Sequence, residues 1–468
     1  MIILLILLAL VFVFLTGVLS IKGTEGEGGR MNKKAVRWLY QELPRLVAQG
    51  VLAEESAVKL RQYYGDVKAV DRKWMVIIIC GVLGALLIGL GIILLLGHNW
   101  EQLSRSLRAV ISMGLLSSAQ ALAFWVMKKR GGSDALKEAS ATFLSLMVGA
   151  SIALVAQTYH IPGSTEEFLL TWMLLILPLV YLMEASVPAM IYAAGIAAWC
   201  GISSGGEMQH QGLFYWPLTA LVIPHFLWGL RQKMYLLRAK LLALVLAFSV
   251  CCGVGFTLGR TWPGDWAINF SSLFALLYLI GARAERRDTL SKSGLAPLHS
   301  LGWLGSIILA FVLTNRFSWG ALTSWRGLME QVSWYSAPEF MILIMLFGGG
   351  LLLCLNSLGQ KDWVATAVGV LPLVTALGYV VAGEENNFAA LLFNGYIFML
   401  SGITIAEGIR KNSLRTLNMG MVILAVLIVL RFFDQEIGFL VKGVVFIVMG
   451  AGFLAVNGIM IRKIGGRS

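Results

Sequence analysis

Charged residues make up only 13% of this 468-residue chain, too few to cover a water-soluble domain of that size. Cysteine is scarce as well. Its five copies, Cys80, Cys200, Cys251, Cys252 and Cys354, lie inside apolar runs and lack the spacing of a disulfide framework or a thiolate metal site. The phosphate loop, the GxSxG elbow and the HExxH pair are missing too. No catalytic residue and no cofactor is assigned on this sequence, and an enzyme is the less favoured class.

What is abundant is apolar sequence, 58% of the residues. Fourteen runs after Met31 are long enough to cross a hydrocarbon core of about 30 Å. They cover 74–97, 109–127, 139–160, 168–183, 187–202, 213–230, 241–258, 266–282, 295–314, 340–358, 363–381, 388–406, 414–430 and 437–461. Backbone amides in lipid must find partners within their own segment, so each run is expected to be a helix. The expected fold is all-α, a polytopic transmembrane bundle over 74–461. The runs at 168–183 and 187–202 are the least separated, with only Glu184, Ala185 and Ser186 between them.

Lys and Arg concentrate in alternate connections: 31–73, 128–138, 231–240, 283–292, 407–415 and the tail 462–468. The opposite side holds only Arg105, Arg108, Arg260, Arg316, Arg326 and Arg431. By the positive-inside rule the basic side is cytoplasmic, with segment 31–73 and the C-terminus inside a bacterial cytoplasmic membrane. The net charge of +12 is then a sign of topology and does not point to nucleic acid. The lipid bilayer is the expected partner, and no feature sets an oligomeric state.

Residues 1–30 carry an apolar stretch with no basic residue before it, unlike a secretory signal. Two readings stand: an additional N-out anchor, or translation from Met31. The peptide Glu27-Gly28-Gly29-Arg30-Met31 can be encoded with a purine-rich ribosome-binding sequence just ahead of a start codon, which favours the second. The following segment, 31–73, reads as two short amphipathic helices around Gly50. Val36, Leu39, Tyr40, Leu43 and Leu46 share one face, Val58, Leu60 and Tyr64 are placed to meet it, and Pro44 weakens the first helix.

The stretches "WLYQELPRLVAQGVLAEESAVKLRQYYG", "GVLGALLIGLGIILLLGHNWEQL" and "LVAQTYHIPGSTEEFLLTW" resemble, in that order, the bacterial membrane proteins grouped as domain of unknown function 2157. The C-terminal "LNMGMVILAVLIVLRFFDQEIGFLVKGVVFIVMG" is similar to members of that group. The resemblance implies a membrane fold. It implies no activity.

Polar residues near membrane ends are the candidate ligand or cavity residues. One group is Gln157, Tyr159 and His160, where Gln157 and His160 share a helical face. A second is Glu101 with Arg108, and a third Arg431, Asp434 and Lys442. Both of these place an acid in an outer turn and a base on the returning helix, the pattern expected of a duplicated hairpin. Lys442, about 7 Å into its helix, either snorkels to phosphates or faces the bundle interior. No metal site is assigned; His98, His160 and His210, near Glu101, Glu166 and Glu207, are weak candidates without metal spacing. His225 and His299 read as structural.

The loop before residue 340 carries Trp319, Trp325 and Trp334, expected as a short interfacial helix and aromatic belt. Three function classes remain. The favoured one is transport or handling of a small molecule or lipid through an outward-facing polar cavity. The others are a sensor or scaffold signalling through the 31–73 hairpin, and an enzyme acting on lipid-linked envelope substrates.

Overall fold

The computed structural model describes residues 33–64, 103–129, 134–204, 211–231, 236–261, 265–286, 294–323, 339–382 and 387–432, with isolated positions between 443 and 452. Helices are α1 Lys33–Ala48, α2 Glu54–Tyr64, α3 Arg105–Lys128, α4 Asp134–Tyr159, α5 Thr165–Leu182 and α6 Ser186–Ser203. A 3-10 turn, Gln211–Phe214, leads into α7 Tyr215–Ala220 and α8 Ile223–Arg231. Then follow α9 Leu236–Thr261, α10 Trp266–Arg286, α11 Ala296–Leu313, α12 Arg316–Thr323 and α13 Glu339–Gly359. The remainder are α14 Trp363–Gly369, α15 Leu371–Val381, α16 Asn387–Arg410 and α17 Leu414–Phe432. No strand occurs among the described residues.

Twelve stretches are long and apolar enough to cross a membrane. They coincide with twelve of the fourteen expected runs; 74–97 and nearly all of 437–461 lie outside the described residues. The close pair at Glu184 is two helices, because Glu184 takes a left-handed φ of 52° that breaks the ladder between α5 and α6. Two of the twelve spans are not single helices. The span Gly212–Leu230 is divided at Leu221–Val222, and Trp363–Val381 at Val370.

Local chemistry sets the ends. Ser164 and Glu167 form a reciprocal capping box at the start of α5: each backbone N–H donates to the other's side-chain oxygen at 3.1 Å. Asp362 caps α14 by accepting from the Ala365 amide at 3.1 Å. At the other ends, three non-glycine residues stand in the left-handed region: His160 (φ 49°), Lys361 (φ 57°) and Asn412 (φ 51°). In each case the next amide reaches back five residues, as in Ile161 N–H to Ala156 O at 3.0 Å, Asp362 to Ser357 at 3.1 Å and Ser413 to Gly408 at 2.9 Å. This is the Schellman closure, with His, Lys and Asn where glycine is commonest.

The chain divides into two compact units. Unit 1 comprises Met1–Gly163 and Leu175–Pro188, and unit 2 Ser164–Leu174 and Ala189–Ser468. In unit 1, α3 and α4 pack through small side chains, Ala119, Ala123 and Ala141 among them, with Ser151 Oγ donating to Ser112 O at 3.3 Å. The hairpin α1–α2 forms around Gly50 at φ 70°. On α1 Leu43 is buried, as its place on the apolar face implies, but on α2 Ala57 is buried and Val58 is 51% exposed, and α1 runs through Pro44.

Unit 2 has a continuous core drawn from α10 to α17. Glycine brings α10 and α11 together. A Cβ at Gly302 would stand 2.3 Å from the Tyr278 amide, and one at Gly281 2.4 Å from that of His299. Apolar side chains outside the core, such as Leu352, Phe388 and Leu391, remain exposed, as lipid-facing positions do.

Candidate functional site

The divided spans lie in unit 2, and both breaks are held by a buried tyrosine. Pro224, at the start of α8, has no N–H to continue the ladder, and the chain turns before it. The Leu218 carbonyl there accepts from Leu221 N–H at 3.2 Å and from the Tyr192 hydroxyl of α6 at 3.0 Å. Pro372 does the same at the start of α15, where the Ala367 carbonyl accepts from the Tyr396 hydroxyl of α16 at 3.0 Å. Cys354 of α13 donates its thiol to the neighbouring Thr366 carbonyl at 3.6 Å. Thus neighbouring helices supply side-chain donors to backbone carbonyls in the turn before each proline.

Beside the first break, Ser249 Oγ donates to Ala193 O at 2.9 Å, which uses its single proton. Tyr215 O–H must then be the donor in its 2.9 Å contact with Ser249. This relay ties α7, α9 and α6 together. Gly253 makes room for the Tyr215 ring, since a Cβ there would lie 2.2 Å from it.

At the far end of the second divided span from its break, Asp265 immediately precedes α10 and Asn269 follows four residues later. Burial pushes the Asp265 carboxyl above the usual carboxylate range, and the Tyr379 hydroxyl of α15 partly offsets this. Trp319 stands edge-on to the Tyr379 ring, with centroids 5.9 Å apart. Asn269 is 1% exposed, and neither its Oδ1 nor its Nδ2 has a hydrogen-bond partner among the described residues.

At the same end of unit 2, the carbonyls closing α11 are fully used. Phe311 O accepts from Thr314 Oγ1 at 2.7 Å, Val312 O from Ser318 Oγ at 2.9 Å, and Leu313 O from Trp319 Nε1 at 2.8 Å. Thr314 O accepts from Arg431 Nη2 at 3.0 Å, and Thr314 Oγ1 from the same nitrogen at 2.9 Å. Asn394 Nδ2 adds a longer contact to Thr314 O at 3.4 Å. Arg431 therefore closes a helix and is not merely solvated in a turn. Trp319, expected in an aromatic belt, is fully buried.

The other sequence candidates are placed as follows. Gln157, Tyr159 and His160 are exposed at the end of α4, where His160 closes the helix. Arg108 Nε donates to Leu103 O at 2.9 Å at the start of α3. Glu101, Asp434, Lys442, His98 and His210 lie outside the described residues, and with Lys442 the comparison of first and last hairpins. Glu167, beside the weak histidine group, is committed to its capping box. Among the described residues no group of three His, Cys, Asp or Glu could hold a metal ion. His299 Nδ1 meets Glu285 Oε1 at 3.1 Å and its ring lies on Tyr278.

Sequence reasoning missed Glu138, read as the end of a basic connection. It is 7% exposed, and its two oxygens accept from Ser186 N–H at 2.8 Å and Val187 N–H at 3.0 Å. It missed the divided spans too, although Pro217, Pro224 and Pro372 inside apolar runs were the available signal.

No curated protein and no solved structure matches the chain. The match to a known family spans the first of the two resembling regions and not the second: residues 44–189 match the family described as Predicted membrane protein (DUF2157).

Proposed function

We propose that this multi-pass membrane protein binds and carries a small molecule or lipid, entered from the outer face of a bacterial cytoplasmic membrane. The observation that carries the reading is the pair of divided spans in unit 2, each with a carbonyl before the break that accepts from a buried tyrosine. Interrupted helices at membrane depth are where membrane carriers place their sites, since polar groups gather at the interruption. Simple anchoring calls for neither the breaks nor the Tyr215–Ser249 relay beside the first of them. In this reading segment 31–73, the connection before α4 and the C-terminus are cytoplasmic, and Asp265, Thr314 and Arg431 lie at the outer end.

Native mass spectrometry of the full chain in nanodiscs tests the proposal, with wild type beside Tyr192→Phe and Tyr396→Phe. A retained molecule of defined mass, reduced in either variant, supports it. If wild type retains nothing beyond the nanodisc lipid, the carrier reading falls and a scaffold acting through the α1–α2 hairpin replaces it.

A further inference from the structure

We propose that Arg286 is a latch on the second divided span: its contacts with Gln360 and Asp362 hold the short half-helix α14 against α10, and their release opens the break at Val370 to the basic side of the membrane. The inference rests on the carrier reading in taking that break as the place to be reached and the basic side as cytoplasmic. The latch itself rests on side-chain contacts.

α14 is seven residues long, so about 10 Å separates its two ends. Arg286, the last residue of α10, meets the end away from the break. Its Nη1 donates to Gln360 Oε1 and its Nη2 to Asp362 Oδ2, so one guanidinium spans both flanks of the Lys361 turn that joins α13 to α14. Gln360 is steadied in turn, its Nε2 donating to Asn356 Oδ1 at 2.6 Å. At the other end Gly369 is the last residue before the break. A Cβ there would stand 2.8 Å from Cys354 of α13 and 3.2 Å from Leu279 of α10.

The two oxygens of Asp362 have separate roles. Oδ1 caps α14 by accepting from the Ala365 amide at 3.1 Å, whereas Oδ2 takes the arginine. The pair therefore parts without uncapping the half-helix. Arg286 and Asp362 also keep 30% and 19% of their side-chain surface, so water replaces each partner on release, and pairs in contact with water contribute little net stability.

The tethers at the break are of another kind. The Ala367 and Thr366 carbonyls accept from Tyr396 and Cys354, both buried, and a lost bond there has no water to replace it. A half-helix held loosely at its wet end and firmly at its dry end is set to pivot about the dry one, with the break as hinge. Its buried face carries the small side chains Ala365, Ala367 and Gly369, which part from neighbouring helices without interlocked knobs to withdraw. With the latch made, the structure is the form closed to the cytoplasm.

Cys354 reports the opening, because its thiol is 4% exposed and bonded to the Thr366 carbonyl behind the latch. The full chain in inverted membrane vesicles is treated with a membrane-impermeant maleimide, and each cysteine is read separately by peptide mass spectrometry. Asp362→Asn keeps the capping oxygen and loses the charge; Arg286→Gln removes the fork. Both are expected to speed modification of Cys354 several-fold over wild type and to leave Cys200, buried in α6, as slow as before. Arg410→Gln, which breaks the ion pair with Glu407 within α16, should leave Cys354 unchanged. If Cys354 stays slow in both latch variants, the pair is an ordinary surface contact and the latch is overturned. A rise at Cys200 alongside Cys354, or the same rise in Arg410→Gln, would overturn it too, since the pair would then hold unit 2 as a whole. Faster Cys354 with no molecule retained in the native mass spectra would keep the latch and remove the carrier reading. A retained molecule with Cys354 equally slow throughout would do the reverse.

Discussion

Glu138, on α4, closes the N-terminus of α6 across a gap of 48 residues, its Oε1 2.8 Å from the Ser186 amide. With Oε2 on Val187 at 3.0 Å, one carboxylate serves two of the first-turn N–H groups that no helix can satisfy internally. It does so with the charge that a helix N-terminus favours. Because the group is buried, its removal leaves both amides without water to replace it. Glu138→Ala should destabilise the protein by about 1–3 kcal/mol, and Glu138→Gln, which keeps one acceptor, by less. Thermal midpoints in detergent check this; equal losses in the two variants would mean that one retained acceptor does not hold the helix end, and no loss in Glu138→Gln that the second oxygen is idle.

Arg431 does the complementary service at the C-terminus of α11, where a cation suits the negative end of the helix. Arg431→Ala should cost about 1–3 kcal/mol, since Thr314 is 2% exposed and its carbonyl would keep only the long Asn394 contact. Thr314→Val removes the hydroxyl but leaves the carbonyl bond and should cost less. Hydrogen exchange reads the difference directly, because loss of the arginine should speed exchange at the end of α11 and not in α3 or α4. Exchange unchanged at α11 would refute the capping role.

His160 and Lys361 separate a structural from a ligand role. Both hold a left-handed φ that costs an L-residue about 1–2 kcal/mol and glycine almost nothing. His160→Gly and Lys361→Gly are therefore expected to raise the thermal midpoint, offset in part by the greater freedom glycine has when unfolded. If His160→Gly lost a retained molecule in native mass spectra, His160 would be a ligand residue as well as a helix end.

Much of the fold was legible because lipid leaves a chain few choices. Twelve expected runs are helical, two of them divided, and the Ser164–Glu167 box could be read as S-x-x-E. Long-range satisfaction was not legible. Glu138 and Ser186, or Arg431 and Thr314, are far apart in sequence, and no periodicity announces which buried donor will serve which orphaned backbone group. Asp265 and Asn269 passed unnoticed for a related reason: a lone carboxyl at a helix start looks solvated until the burial of its surroundings is known. Trp319 misled in the opposite sense, since a tryptophan beside a span reads as a belt residue unless its indole N–H has a carbonyl to bond, here that of Leu313.

The glycines offer the sharpest contrast between packing and propensity. At Gly302 a methyl group would meet backbone, 2.3 Å from Tyr278 N and 2.7 Å from Phe274 O, and backbone in a helix pair cannot yield without moving the helix. Gly402 is also within a helix, but a Cβ there meets nothing within 4 Å. Gly302→Ala is expected to destabilise by about 1–3 kcal/mol. Gly402→Ala should be neutral or stabilising by up to about 1 kcal/mol, the helix-propensity difference. The two changes are chemically identical, so the difference between their midpoints isolates the close approach of α10 and α11. Equal effects would show that these helices do not pack through Gly302.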